Sequence, residues 1–328
     1  MFVILTGTVI CATEKPIILR YANVYPNNHP FTKGDLDYQA KIIKETNGRV
    51  KFRNYFSKTL VSAREGYEDI SKGVADMASF SGSYSKSGFT IARRISGFYH
   101  GIYSEDARVN IFKALQKKYP EYAKEYEKVK PMMISNGLHY QLQCKKPVRT
   151  IADMKGLQFK ATATWIKILT ALGAVGQNVP MGEVYIALQK GIIDGCMAPL
   201  ETLKTFRFAE VVKGVTESPI VIGGYYSRGM NWGVWNKLPP DVQKVFDDNI
   251  ETRGDLTKKR ARATDQGGID LAKKHGVVFL KFSKSDLARF YEVMDETCLV
   301  LAKDLDGKGL PGTPIYNDIR RMAKEAGY

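Results

Sequence analysis

The stretch "EVYIALQKGIIDG" at residues 183–195 decides how the rest of the sequence is read. Val184, Ala187 and Leu188 fall at i, i+3 and i+4, which gives a short helix one apolar face to bury. Gly191 can take the left-handed conformation that ends a helix, and residues 192–194 are expected to form a buried strand. Far upstream, "EDISKGVADM" at residues 68–77 repeats the phrase. Ile70 sits on the helix, Gly73 stops it, and Val74 and Ala75 open a strand leading to Asp76. Both copies run helix, Lys-Gly, two apolar residues, Asp. Their separation is no solenoid period, so the echo predicts two α/β lobes built on one plan.

Length and composition permit two lobes. The 328 residues suit two domains at the usual size of about 100–200 residues each. A hydrophobic content of 44% with 25% charged residues belongs to a globular chain rather than a disordered one. Cys11, Cys144, Cys196 and Cys298 are dispersed and form no CxxC, so neither a zinc cage nor a disulfide framework is signalled; buried free thiols are expected. The net charge of +15 raises nucleic-acid binding as a class. The lysines and arginines are spread along the chain, however, without a nucleic-acid-binding motif. The one dense run, "KKRAR" at residues 258–262, lies in a helix-compatible stretch and reads as a solvated face. A basic surface also raises the local concentration of small anions, and that role is assigned to it.

The start, "MFVILTGTVICATEKP", carries an apolar stretch too short for a membrane span of about 20 residues. It has the core and cleavage site of a secretory signal without the basic leading segment. Residues 1–12 are therefore read as a truncated signal segment and the protein as exported. "IILRYANVY", from Ile17, supplies the first strand. Helical spacing over residues 35–46 and a strand at "RVKFRNYF" follow. Residues 107–128 are helical and broken near Pro120. "KPMMISNGLHYQLQC" reads as one apolar strand long enough to bridge two lobes, and residues 219–235 as a second crossing. Between them, "MKGLQFKATATWIKILTALGA" is strand, turn, helix. Leu157, Phe159 and Ala161 point to one side of the strand, Gln158 and Lys160 to the other. Trp165, Ile168, Leu169 and Leu172 share a helix face. Strands alternating with helices predict a mainly parallel sheet in each lobe, and two crossings predict a hinge.

"ETNGRVKF", "GVADMA", "IADMKGLQFKA", the block at residues 180–195, "FAEVVKGVTESP" and "NWGVWNKLPPDVQ" occur in this order. Together they resemble the substrate-binding proteins of tripartite ATP-independent periplasmic (TRAP) transporters, over roughly residues 17–300, with residues 180–195 the most specific part. The resemblance implies an α/β, two-lobed, periplasmic-binding-protein-like fold with the ligand cleft between lobes that close like a Venus flytrap. Lobe I would hold residues 16–137 plus about 225–263. Lobe II would hold residues 138–224 plus about 264–305, and residues 306–328 would form a C-terminal helical extension. It further implies a periplasmic monomer that is not an enzyme and uses no cofactor. Such a receptor captures a small organic acid and delivers it to a membrane permease. A receptor of another importer class and a basic nucleic-acid-binding protein are the alternatives.

In open α/β lobes, ligands bind beyond the carboxyl ends of strands, where Lys160 lies. The resemblance implies an arginine at this position, gripping the ligand carboxylate. Arginine offers a planar fork, whereas lysine is a point charge on a flexible stem. Tyr140 falls where some relatives have a second arginine, and Ala198 where sialic-acid-binding members have an asparagine. These changes suit a less polar ligand, an aromatic or branched-chain acid. Tyr140, Phe80, Tyr84, Phe98 and Tyr99 are candidate aromatic walls, with Met181 of the signature block, although core packing explains each equally well. Trp165 is open between core and pocket. Asn23, Asn28 and His29 follow the first strand, and Ser79, Ser81 and Ser83 follow the other lobe's echo of the phrase; backbone amides and hydroxyls there can meet an anion, or form a plain serine-rich loop. Glu183 is explained by the helix dipole and Asp194, like Asp76, by a turn. Neither is read as catalytic. No GxSxG, P-loop, HExxH or GxGxxG is present, and His29, His100, His139 and His275 lack metal-ligand spacing. His139 and Cys144, five apart on one strand, face opposite ways and form no dyad.

Overall fold

Two separate sheets organise the computed structural model, which describes residues 15–86, 88–135 and 138–328. The expected signal segment at residues 1–12, Cys11 included, lies outside the described residues. In the first sheet β1 (Ile17–Ala22) pairs in parallel with β2 (Val50–Tyr55) and β3 (Met77–Ser79). The order is completed by β10 (Tyr225–Met230), antiparallel to β3, and β4 (Lys130–Ser135), antiparallel to β10. The second sheet runs β11 (Val278–Lys281), β9 (Gly214–Val221), β5 (His139–Cys144), β8 (Gly195–Ala198), β6 (Gln158–Lys160) and β7 (Val175–Gln177). The first sheet is parallel over β2, β1 and β3 and the second over β8, β6 and β7, with β11 parallel to β9; β10 and β5 run antiparallel to both of their neighbours.

The two echoed phrases do the same work in the two sheets. The helices Gly66–Ser71 and Val184–Gln189 end at Gly73 and Gly191, whose φ values of 75° and 72° need a residue without Cβ. Val74 N–H then bonds Asp69 O, and Ile192 N–H bonds Ala187 O, the six-to-one bond of a glycine-stopped helix end. That bond explains one departure from expectation. Residues 74–76 and 192–194 are spent in turns, Val74 and Ile192 stay 38% and 55% exposed, and the strands start only at Met77 and Gly195. Asp76 donates its N–H to Arg20 O (3.1 Å) and accepts Arg20 N–H on its carboxylate (2.8 Å). Asp194 treats Gln158 identically, at 2.7 and 2.8 Å. Each aspartate thus clips its incoming strand to the neighbouring parallel strand.

The long crossings are not single strands. β4 ends at Ser135 and β5 begins at His139, while β9 ends at Val221 and β10 begins at Tyr225. A strand can complete its ladder in only one sheet, so the chain breaks pairing where it changes sheets. The two breaks lie side by side: Ser135 pairs with Tyr225 on one side and His139 with Val221 on the other. The helix Thr252–Lys274 is a further bridge, packing on the first-lobe helix Pro30–Glu45 and the second-lobe helix Thr202–Thr205. The boundary expected at 263/264 therefore falls inside one continuous helix. The helix Lys284–Asp306 also touches both lobes, through the helices Thr90–Ile95 and Thr164–Ala171, and the helix Gly312–Glu325 folds back onto it.

Cys144, Cys196 and Cys298 are buried free thiols. The basic run at residues 258–262 is engaged with carboxylates: Lys258 with Asp106, Arg260 with Asp37 and Arg262 with Glu105. It is a salt-bridged helix surface, not a free phosphate track. No described helix is long and apolar enough to cross a membrane.

Candidate functional site

β6 ends at Lys160, whose register against Gln177 and Cys196 fixes the side chain at the carboxyl edge of the second sheet. Lys160 is only 1% exposed. Its ammonium lies 6.0 Å from the ring centroid of Tyr84, a first-lobe residue, and has no carboxylate partner among the described residues. Burial lowers its pKa to about 8, so near neutral pH the group is still mainly charged. A buried charge without a counter-ion is costly, and an incoming anion removes that cost.

Lys160 borders a cavity of about 130 Å³ between the lobes. An apolar cavity of about 150 Å³ accommodates benzene, so this space suits one substituted ring. Its wall is rich in tyrosine: Tyr25, Tyr84 and Tyr99 from the first lobe, Tyr140 from the second, and Tyr225 and Tyr226 beside the crossing. Burial raises the pKa of Tyr25, Tyr84 and Tyr140, keeping them neutral phenols able to donate. Arg228 and Arg253 also reach the wall, but Asp35 engages both. Arg253 Nε donates to Oδ1 at 2.7 Å and Arg228 Nη2 to Oδ2 at 2.9 Å. Burial alone would raise the Asp35 pKa; the two guanidiniums outweigh it and hold the carboxylate ionised.

The lobes touch around this cavity. The Thr164 hydroxyl donates to the carbonyls of Arg93 and Arg94. Just before it, Ala163 holds φ 49° and ψ −125°, a conformation that costs a residue with a Cβ. Phe206 packs on His29, centroids 5.0 Å apart. His29 Nε2 lies 3.6 Å from Glu201 Oε1, both side chains being buried. Burial lowers the His29 pKa to about 3 and raises that of Glu201 to about 8, so both are neutral at pH 7. At the rim, Lys58 Nζ reaches Glu183 Oε1 at 3.6 Å.

Of the residues singled out in the sequence, Lys160, Tyr140, Phe80, Ser81, Tyr84, Tyr99 and Met181 line the cavity. Trp165, Phe98, Ala198 and Asn23 do not. Trp165 is fully buried with Ile168 and Leu169, because the helical stripe that carries it faces the core. Phe98 packs edge-on against Tyr316 of the C-terminal helix, centroids 5.3 Å apart. Ala198 joins Cys196 and Leu203 in the core beneath the second sheet. Asn23 is consumed locally, its amide donating to Asp35 and Thr32 and its carbonyl accepting Tyr25 N–H. Ser79 and Ser83 also line the cavity, whereas Asn28 is exposed. Tyr25, Thr162, Phe206, Tyr225 and Tyr226 were missed. The first three come from connecting segments where periodicity gives no signal; Tyr225 and Tyr226 open β10, and the glycine pair before them was the available clue.

A profile described as bacterial extracellular solute-binding protein, family 7 (DctP), matches residues 21–304. The chain belongs to this family. It is thus an extracytoplasmic solute-binding receptor and not an enzyme, and neither another importer class nor nucleic-acid binding is supported. Among curated relatives, the C4-dicarboxylate-binding periplasmic protein DctP of Rhodobacter capsulatus is 25% identical over 296 residues, 86% of either chain. A solute-binding protein of Verminephrobacter eiseniae is 24% identical over 264 residues, 77% of this chain and 75% of the relative. Among solved structures, a TRAP periplasmic solute-binding protein of Desulfovibrio salexigens in an open complex has a TM-score of 0.76 at 26% identity, covering 95% and 97% of the two chains. A similar fold appears in a TRAP solute-binding protein of Rhodoferax ferrireducens T118 in complex with copurified benzoate: TM-score 0.84, 21% identity, 94% and 98% covered.

Proposed function

We propose that this receptor captures a small aromatic organic acid between its lobes and hands it, as a monomer, to a TRAP-type membrane permease. The observation that carries this is the buried, uncompensated Lys160 ammonium beside a one-ring cavity walled by tyrosines. A carboxylate would neutralise the lysine, and the rings would stack on or around an aromatic body. Branched-chain acids fit less well, since they use the flat tyrosine faces poorly. Structural neighbours hold benzoate in one case and 3-hydroxybenzoate, in a marine metagenome protein of TM-score 0.84, in another. The lobes would be residues 16–137 with about 225–263, and residues 138–224 with about 264–305, closing about the crossings; residues 306–328 would brace them.

The test is a thermal-shift and calorimetry panel of benzoate, 3-hydroxybenzoate, mandelate, branched-chain acids and benzamide. A ligand at a hundred times its Kd stabilises the fold by about 2.7 kcal/mol. Aromatic acids should shift the melting point and benzamide should not. Lys160→Met should weaken the best acid at least tenfold, about 1.4 kcal/mol. Undiminished acid affinity in Lys160→Met would remove Lys160 as the anchor, and failure of every aromatic acid would remove the ligand class.

A further inference from the structure

Resting on the aromatic-acid reading, we infer that Lys58, reaching over from the first lobe, is the second cation for the ligand's carboxylate, so that one lysine from each lobe replaces a single arginine fork. Three observations converge on it. First, Lys58 lines the same cavity as Lys160. Second, the two lysines flank one short stretch of structure. Lys160 lies over the Tyr84 ring, Tyr84, Met181 and Gly182 all line the cavity, and the Lys58 stem passes over Gly182, where a Cβ would meet Lys58 Cε at 3.1 Å and Nζ at 3.2 Å. Third, the turn that presents Lys58 is strained. Ser57 and Lys58 hold consecutive φ values of 57° and 65°, a left-handed pair that ordinarily calls for Asn-Gly.

The partner that Lys58 has in this structure does not account for that strain. Glu183 is 3.6 Å away, and the two side chains are 58% and 37% exposed. An exposed pair of this kind contributes little, and it is easily exchanged for a better acceptor. A carboxylate seated on Lys160 is such an acceptor: two oxygens, partly desolvated, with Lys160 serving one and Lys58 the other. The arrangement also gives closure a driving force, because the second contact forms only when the first lobe swings its turn over the rim.

The experiment is calorimetry of benzoate and benzamide on the purified full chain, comparing wild type with Lys58→Met, which keeps the stem, and Glu183→Gln, which removes only the rim partner. Both positions are exposed, and unchanged melting of the free variants checks the fold. Lys58→Met should weaken benzoate at least tenfold and make its affinity fall less steeply with salt, while Glu183→Gln should leave benzoate affinity within twofold or tighten it. Equal losses in the two variants would make Lys58 and Glu183 a simple rim latch and overturn the inference. So would a Lys58→Met variant that binds benzoate as wild type does. Failure of wild type to bind benzoate, with 3-hydroxybenzoate and mandelate also silent, would instead overturn the aromatic-acid reading on which the inference stands.

Discussion

Replacing Glu201 by glutamine should flatten the pH dependence of stability above neutrality. The Glu201 carboxyl is buried, and its pKa rises to about 8 from the ordinary 4.5. Below pH 4.5 it is protonated in folded and unfolded chains alike. Between 4.5 and 8 the folded chain keeps a proton that the unfolded chain has lost, so stability falls as pH rises, by about 1.4 kcal/mol per unit. From pH 6 to pH 8 this amounts to about 2–3 kcal/mol. His29 acts in the opposite sense lower down: its folded pKa of about 3 against 6.5 makes stability rise with pH between those values, masking Glu201 below 6.5. Glu125, raised by burial to about 7, adds a slope of the same sign as Glu201. The difference between wild type and Glu201→Gln isolates the one group, since glutamine mimics the protonated acid in shape and cannot titrate. Urea midpoints measured every half unit from pH 5 to 8.5 are the assay. The variant should gain on wild type steadily up to about pH 8. Parallel profiles would mean that Glu201 is ionised in the folded chain at neutral pH and would refute the reasoning.

Two further outcomes follow from the packing. A Cβ at Gly97 would lie 2.5 Å from Thr164 Cγ2 and 3.2 Å from Ile168 Cδ1, on opposite sides of the lobe contact. Gly97→Ala should therefore hold the lobes apart and weaken benzoate at least fivefold with little change in urea midpoint; unchanged affinity together with an unchanged scattering radius would count against the contact as part of closure. Asp194→Ala should cost about 1–3 kcal/mol, by leaving the Gln158 N–H without its carboxylate acceptor, and amide exchange at Gln158 should speed up. A loss under half a kcal/mol would show that the clip is dispensable.

Much of the architecture could be read because it depends on local signals. The glycine stops at 73 and 191 and the paired aspartates announce two lobes of one plan, and the alternation about Lys160 correctly turns that side chain away from Phe159. Strand starts were misjudged because apolar residues after a glycine stop look like strand whether or not their N–H groups are already engaged, as those of Val74 and Ile192 are. The cavity lining was legible where it lies on strand ends and on the serine-rich loop. It was illegible where selection between core and cavity depends on the third dimension. Trp165 and Phe98 carry the same sequence signals as Tyr140 and Tyr99, yet two face a core and two a cavity. Tyr25 and Phe206 sit on connections, where nothing periodic marks them, and the Asp35–Arg228–Arg253 cluster joins Asp35 to residues 193 and 218 positions away.

The pairing on either side of the two crossings has a mechanical corollary. The crossing chains are laddered to each other in both sheets, Ser135 to Tyr225 in one and His139 to Val221 in the other, so the strands that carry them form one ribbon of two plies. Such a ribbon folds easily across its width, but twisting it would shear rungs at both ends. A movement of one lobe against the other about this ribbon would favour a single angular coordinate, as in a door hung on a strip hinge. The rim contacts of Lys58 and of Thr164 with Arg93 would then part together, and each would meet its partner again without a search through other orientations.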